Sequence, residues 1–321
     1  MFVYGRAKIK KSFQVKITKA TTPPAIPDLQ QKTVTVKMPP EIPASEVPPW
    51  KVIHTAADQQ VDDLLNKIVD VSHDTRQGAV VTPMIQGINS NDADAVLKAI
   101  PLETYAAGIA ETSNILKIAF NNSGAGMIIN LPESYRNFTF NTAGQRASNV
   151  VSDIGSKLVT EVTQETKNAI NVEIKRGIDE GLGGDRVAKN IINIIGLTEK
   201  QATAVSNFRV ASLDAGLSQG AVDNMATDYA DRLLTSRALC IARTETMRAS
   251  NEGYKEMIQQ GIEANMIPSS SRLIWIVTPD DRLCDDCNDM DGELADADGD
   301  FSQDIPLHPN CRCVIGTDFG E

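Results

Sequence analysis

Residues 143–184 read AGQRASNVVSDIGSKLVTEVTQETKNAINVEIKRGIDEGLGG, and their pattern decides the fold class. Val150, Val151, Ile154, Leu158, Val162, Ile170, Ile174 and Ile178 fall on one face of a helix with 3.6 residues per turn. The run Gly181-Leu-Gly-Gly184 closes that helix, because glycine accepts the left-handed backbone of a helix end. Proline cannot sit in a helix interior without losing a hydrogen bond, and none occurs between Pro132 and Pro268. This stretch therefore predicts one long amphipathic helix inside a largely helical protein.

Reading downstream, Asp185 is placed to cap a short helix that ends at Gly196, and Thr198-Glu-Lys-Gln201 has the spacing of a capping box. Ser218 to about Gly261 holds one or two further helices. Between Ser236 and Gly261, Ala238, Ala242, Thr246, Ala249 and Gly253 recur on one face, where small side chains let another backbone approach closely. The other faces carry Arg243, Glu245, Arg248 and Glu252, spaced for an acid–base–acid ladder. Alternatively, Arg243 is a buried clamp on a carboxylate or on backbone carbonyls. After Pro268, Leu273-Ile-Trp-Ile-Val277 reads as a short strand.

Reading upstream, Val61, Leu64, Leu65, Ile68 and Val69 form a helical apolar stripe in a region that begins near Ala56. Further helices are expected at about 91–100 and 104–121. The glycine- and aromatic-rich segment Ser123–Asn141 reads as a loop or small hairpin, with Met127–Leu131 as a strand. Eight of the fifteen prolines lie in residues 1–50, which predicts an extended or polyproline arm. Within it, residues 13–18 and 34–38 alternate apolar with polar, the period of a strand. No internal repeat of 20–50 residues is visible.

Charge divides the chain in the same place. The 321 residues hold 31 Lys/Arg and 42 Asp/Glu, a net charge of −11. Residues 1–50 carry +5 and residues 51–321 carry −16, so a basic arm precedes an acidic body. That balance argues against a whole-chain nucleic-acid coat, which needs basic surface. An arm bearing Lys8, Lys10 and Lys11, with Trp50 as an apolar anchor, suits contact with an acidic neighbour or with DNA phosphates. No run of about 18 apolar residues is present to span a membrane, and the basic start lacks the apolar stretch of a secretory leader.

Four of the five cysteines crowd the C-terminus: Cys284-Asp-Asp-Cys287, twenty residues, then His308-Pro-Asn-Cys311-Arg-Cys313. Two ligand-bearing turns joined by a loop are what a closed tetrahedral zinc site requires. Cys284, Cys287 and Cys313, completed by either His308 or Cys311, would fill four positions. A disulfide pair and inert thiols are the alternatives, although disulfide frameworks belong mainly to secreted chains. Cys240 reads as a small buried helix residue. Residues 280–304 hold eleven acids and one base, Arg282. Asp296-Ala-Asp298-Gly-Asp300 resembles the start of a calcium loop, yet Phe301 and Leu307 stand where that loop needs Gly and Glu.

Ile241-Ala-Arg-Thr-Glu245, Asn251 on its small-residue helix, the Trp275 strand, Cys284–Cys287 and HPNCRC at 308–313, with Gly196–Gln201 upstream, together resemble the phage Mu F-like minor head proteins over roughly residues 180–316. The resemblance implies a virion component, present in few copies, that associates with portal or major capsid protein and acts in head assembly, DNA packaging or ejection. It implies Cys284, Cys287, His308, Cys311 and Cys313 as a metal-binding cluster, and Arg243, Thr244 and Glu245 as a buried framework tying helix to β-part. It implies assembly in the host bacterial cytoplasm.

The expected architecture is mainly α with a small C-terminal α+β zinc-stapled module and an extended proline-rich N-terminal arm. Its expected divisions are the arm at 1–52, a helical domain at 53–142, a long-helix region at 143–234 and the cysteine-bearing module at 235–321. The leading functional expectation is a non-enzymatic, oligomeric structural protein. A metal-dependent effector enzyme (nuclease or transferase) and a zinc-ribbon nucleic-acid binder are the alternatives. Neither a catalytic Ser/His/Asp grouping nor a phosphate-cradling glycine loop is visible, and the acids around the cysteines would repel phosphate.

Overall fold

The computed structural model describes residues 49–320. Lys8, Lys10, Lys11 and the alternating segments at 13–18 and 34–38 lie outside the described residues. The first helix, α1 (Pro49–Gly78), begins before the expected Ala56 and takes in Trp50. Proline at a helix start is tolerated because the first N–H groups have no partner within the helix.

Three short helices follow: α2 (Val81–Asn89), α3 (Ala93–Lys98) and α4 (Leu102–Ala110). The segment expected as one helix at 104–121 is thus two, because the chain breaks at Glu111 before α5 (Thr112–Ile128). The strand expected at Met127–Leu131 is not formed, since α5 runs through Ser123–Ile128. Gly124 has another purpose than a turn. A Cβ there would stand 2.3 Å from the Phe140 ring and 2.7 Å from the Gly253 carbonyl oxygen, so glycine permits close packing.

The long helix read from the central stretch is α6 (Gln145–Asp179), ended by Gly181 at φ +65°. Its stripe residues Val151, Ile154, Leu158, Val162, Ile170 and Ile174 are buried, whereas Val150 is half-buried and Ile178, in the last turn, is exposed. In α7 (Gly184–Ile194), Asp185 stands inside the first turn, and Gly183 occupies the cap position expected for it. The capping box that opens α8 (Glu199–Asp214) forms as expected. The Gln201 N–H donates to Thr198 Oγ1 at 3.3 Å and the Thr198 N–H donates to Gln201 Oε1 at 3.1 Å.

A single 45-residue helix, α9 (Gln219–Glu263), then runs without interruption across the expected division at residue 235. At 1.5 Å per residue it is roughly 67 Å long. Its stripe of Ala238, Ala242, Thr246, Ala249 and Gly253 is buried, and α1 and α5 pack against the helix. Arg237, itself buried, donates to the Gly196 carbonyl and pairs with Glu165, which pins α9 to the α7–α8 corner and to α6.

Beyond α9 the chain builds a three-stranded antiparallel sheet of β1 (Arg272–Ile276), β2 (Leu294–Asp296) and β3 (Val314–Asp318), in the order β2-β1-β3. Leu273 pairs with Ala295 on one side and Thr317 on the other. A one-turn helix, α10 (Asp285–Asp289), lies between β1 and β2. So small a sheet needs a neighbouring apolar face. Leu273, Trp275 and Val314 supply the inner surface, and they belong to one core with Leu64 and Ile68 of α1 and Met257 of α9. The Trp275 ring meets Phe301 edge-on at 5.4 Å.

Candidate metal centre

The first ligand turn is short-range chemistry. Cys284 is the N-cap of α10, and its Sγ accepts the Cys287 N–H at 3.4 Å, so both thiols leave one bend. The second turn is closed by the Cys311 N–H donating to the His308 carbonyl at 3.0 Å, with Asn310 at φ +60°. Asparagine tolerates that left-handed conformation better than most side chains.

The two turns meet. His308 Nε2 lies 3.2 Å from Cys284 Sγ and 3.1 Å from Cys287 Sγ, and the Cys287 and Cys311 sulfurs are 3.7 Å apart. Zinc–sulfur bonds of about 2.3 Å in a tetrahedron give a sulfur–sulfur edge of about 3.8 Å, so the spacing suits a metal. The ligand atoms form two groups, Cys284/Cys287/His308 and Cys287/Cys311/Cys313, which share Cys287. Among the described residues, the groups able to hold a metal consist of Cys and His alone, and the carboxylates of the 296–300 loop are not in them. His308 Nδ1 lies 2.9 Å from the Pro309 carbonyl, which leaves Nε2 for the thiols.

The thiols are unequal. Hydrogen bonding from Cys313 is the main influence that lowers Cys311, to about 5. The same bond, together with burial, pushes Cys313 up. Burial is also the largest influence on Cys287 and raises it. At Cys284 burial acts upward, but bonds from Cys287 and His308 outweigh it and the thiol is lowered. Such a site favours thiolate at some positions before a metal displaces the remaining protons.

Around the thiols, each intervening residue of the HPNCRC turn is held. The Asn310 N–H donates to Thr244 Oγ1 at 2.9 Å, and Asn310 Nδ2 donates to Cys240 Sγ at 3.2 Å. The Arg312 carbonyl accepts from Thr278 Oγ1 at 2.7 Å and lies 3.0 Å from His54 Nε2, while its guanidinium pairs with Asp280. Asn251, fully buried on α9, donates to the Cys313 carbonyl at 3.1 Å and accepts the Ile315 N–H at 2.9 Å.

The expected framework triad divides. Thr244 ties α9 to the tail. Glu245 is partly buried and pairs with Arg248 at 3.2 Å, the first rung of the expected ladder. Among the described residues Arg248 forms no ion pair with Glu252. Burial is the largest influence on the Glu245 carboxyl and raises it, against the pull of Arg248. Arg243 corrects the expectation of a buried clamp: it is exposed, on a face of α9 that borders an open cleft also lined by His54 and Asp58 of α1. Cys240 is half-buried and serves as the acceptor for Asn310. Sequence reading missed His54 and Thr278. The only signal for them was that His54 is one of three histidines, since both act on a backbone carbonyl more than thirty residues away.

Fold and site together define a class: a helical protein whose C-terminal end is an α+β module with a Cys/His centre, hung on one long helix. More particularly, residues 168–316, somewhat under half of the chain, match the family model of phage Mu protein F-like proteins. No curated protein and no solved structure matches the chain. The phage Mu F-like family points to a phage head morphogenesis protein. No helix among the described residues is long and apolar enough to cross a membrane.

Proposed function

We propose that this chain is a structural minor capsid or head-morphogenesis protein of a tailed phage, held at the portal or the capsid interior and acting without catalysis in head assembly, DNA packaging or DNA ejection. The observation that supports this reading is that the phage Mu F-like match, which starts within α6, includes the C-terminal module whose tail residues are fixed individually to α1 and to α9. It would be made in the host cytoplasm and incorporated, as an oligomer, into the virion. Its basic arm, through Lys8, Lys10 and Lys11, would reach portal protein, major capsid protein or packaged DNA, with Trp50 contributing from the first turn of α1.

In this reading the centre holds one structural zinc ion. Cys284, Cys287, His308 and Cys311 are its ligands, supported by the contacts of 3.1–3.7 Å that link them. Cys313 stands beside Cys311 as a hydrogen-bonding thiol. The zinc supplies folding energy by clasping the two turns.

Purified particles from a phage carrying an epitope-tagged copy test the assignment. The tagged chain is expected in the head fraction with portal protein, and its deletion is expected to leave heads that fail to package or eject. Fully infectious particles without the chain, or nuclease or transferase turnover by the metal-loaded protein, would overturn it. Cys311→Ser should abolish zinc retention and Cys313→Ser should preserve it. The reverse result would reassign the fourth ligand.

A further inference from the structure

The five donor atoms of the thiol centre do not gather as one set. Those within 4.8 Å of one another fall into two triads, Cys284/Cys287/His308 and Cys287/Cys311/Cys313. Two ligands of one zinc ion can stand apart by at most twice a bond of about 2.3 Å, or about 4.6 Å. All five therefore cannot hold a single ion as they stand. A zinc held by Cys284, Cys287, His308 and Cys311 leaves Cys313 outside its shell.

The free space lies on the side of Cys313. A recess of about 20 Å³ is lined by Cys287, His308, Cys311 and Cys313, and Cys284 is not among its walls. That is room for one atom-sized guest. Arg282 and Arg312 also border the recess, but Asp280 pairs with Arg312 and lies 3.8 Å from Arg282. Four thiolates around one divalent zinc keep two negative charges, which outweigh the one guanidinium left over. The three sulfurs on this side are all buried, with those of Cys287 and Cys311 3.7 Å apart. Among the described residues no carboxylate joins their triad. Three soft donors without a fourth suit cuprous copper, which accepts trigonal thiolate coordination, whereas zinc completes a tetrahedron.

We propose that Cys287, Cys311 and Cys313 form a second metal site, for cuprous copper, beside the zinc, with Cys287 and Cys311 bridging the two ions. The inference rests on the zinc reading, yet the two fail separately, because zinc is counted before any copper is added.

The test uses the full-length, zinc-loaded chain, kept reduced and free of oxygen. It is titrated with cuprous copper delivered from a chelator, and native mass spectrometry counts both metals. About one copper is expected beside one retained zinc, with three sulfur neighbours in copper X-ray absorption. Cys313→Ser and Cys313→Ala should each keep the zinc and hold copper about tenfold or more weakly, since loss even of an outer partner costs that much. Cys240→Ser, whose thiol is in neither triad, should bind both metals as the wild type does. Copper that expels zinc one for one, a second zinc taken up as readily as copper, or undiminished copper affinity in both Cys313 variants would overturn the second site. A chain without zinc before copper is added would overturn the zinc reading instead, and copper weakened by the Cys313 substitutions would then still support the triad.

Discussion

Asn251 and Cys313 are joined by a hydrogen bond buried between α9 and the tail, Nδ2 to carbonyl oxygen at 3.1 Å. The same side chain accepts the Ile315 N–H at 2.9 Å, so one amide satisfies two backbone groups that water cannot reach. Asn251→Ala leaves both unpaired and should cost about 2–4 kcal/mol. Thermal unfolding of the metal-loaded variant, with helical circular dichroism as a check on folding, measures this. A melting temperature within one degree of wild type would show that the clamp contributes nothing.

Metal content and its removal are the next measurement. About one zinc per chain is expected, lost in Cys287→Ser and kept in Cys240→Ser, because Cys287 belongs to both ligand groups whereas Cys240 only accepts from Asn310. Chelation should raise hydrogen exchange at 284–287 and 308–313 while leaving α6–α8 protected, since the 169–234 core is packed by helices alone. Unaltered exchange at both turns after chelation would remove the clasp from the account.

Gly253 tests the approach of α9 to α5. A Cβ at that position would lie 2.1 Å from the Phe120 carbonyl oxygen, which is backbone and cannot swing away. Gly253→Ala should therefore destabilise by about 2 kcal/mol or more, within the range of overpacked cores. At Gly220, on the same helix, a Cβ meets nothing within 4 Å, so Gly220→Ala should stabilise by about 0.5–1 kcal/mol. Denaturant midpoints of the two variants should move in opposite directions.

Glu252 gives a pH dependence with a definite sign. Burial is the largest influence on its carboxyl and raises it, with Asp300 and Asp304 acting the same way against Lys255 and Arg248. Because the folded pKa exceeds the unfolded one, the group's contribution is present in acid and is lost as pH rises through the folded value. Glu252→Gln should thus melt higher than wild type at pH 7, with the difference closing towards pH 4. A difference that widens in acid would reverse the assignment.

What could be read from the sequence was what is determined locally. The α6 stripe, the Thr198–Gln201 capping box and the small-residue face of α9 depend on spacing along one helix, and each appears where its pattern put it. The thiol spacing likewise announced two turns. The glycine-rich end of α5 misled, because Gly124 answers to Phe140 and Gly253 rather than to its own neighbours. Arg243 misled for the same reason. Charge on an amphipathic helix says which residues belong together, while exposure depends on which faces α1 and α5 happen to cover.

The seam at Gly253 has a mechanical consequence. Where α5 and α9 meet there, backbone lies against backbone, and no intervening side chain can change rotamer to absorb a displacement. A pull on the sheet at the chain's end would travel along the roughly 67 Å shaft of α9 as through a stiff rod. The joint would yield by parting altogether rather than by sliding.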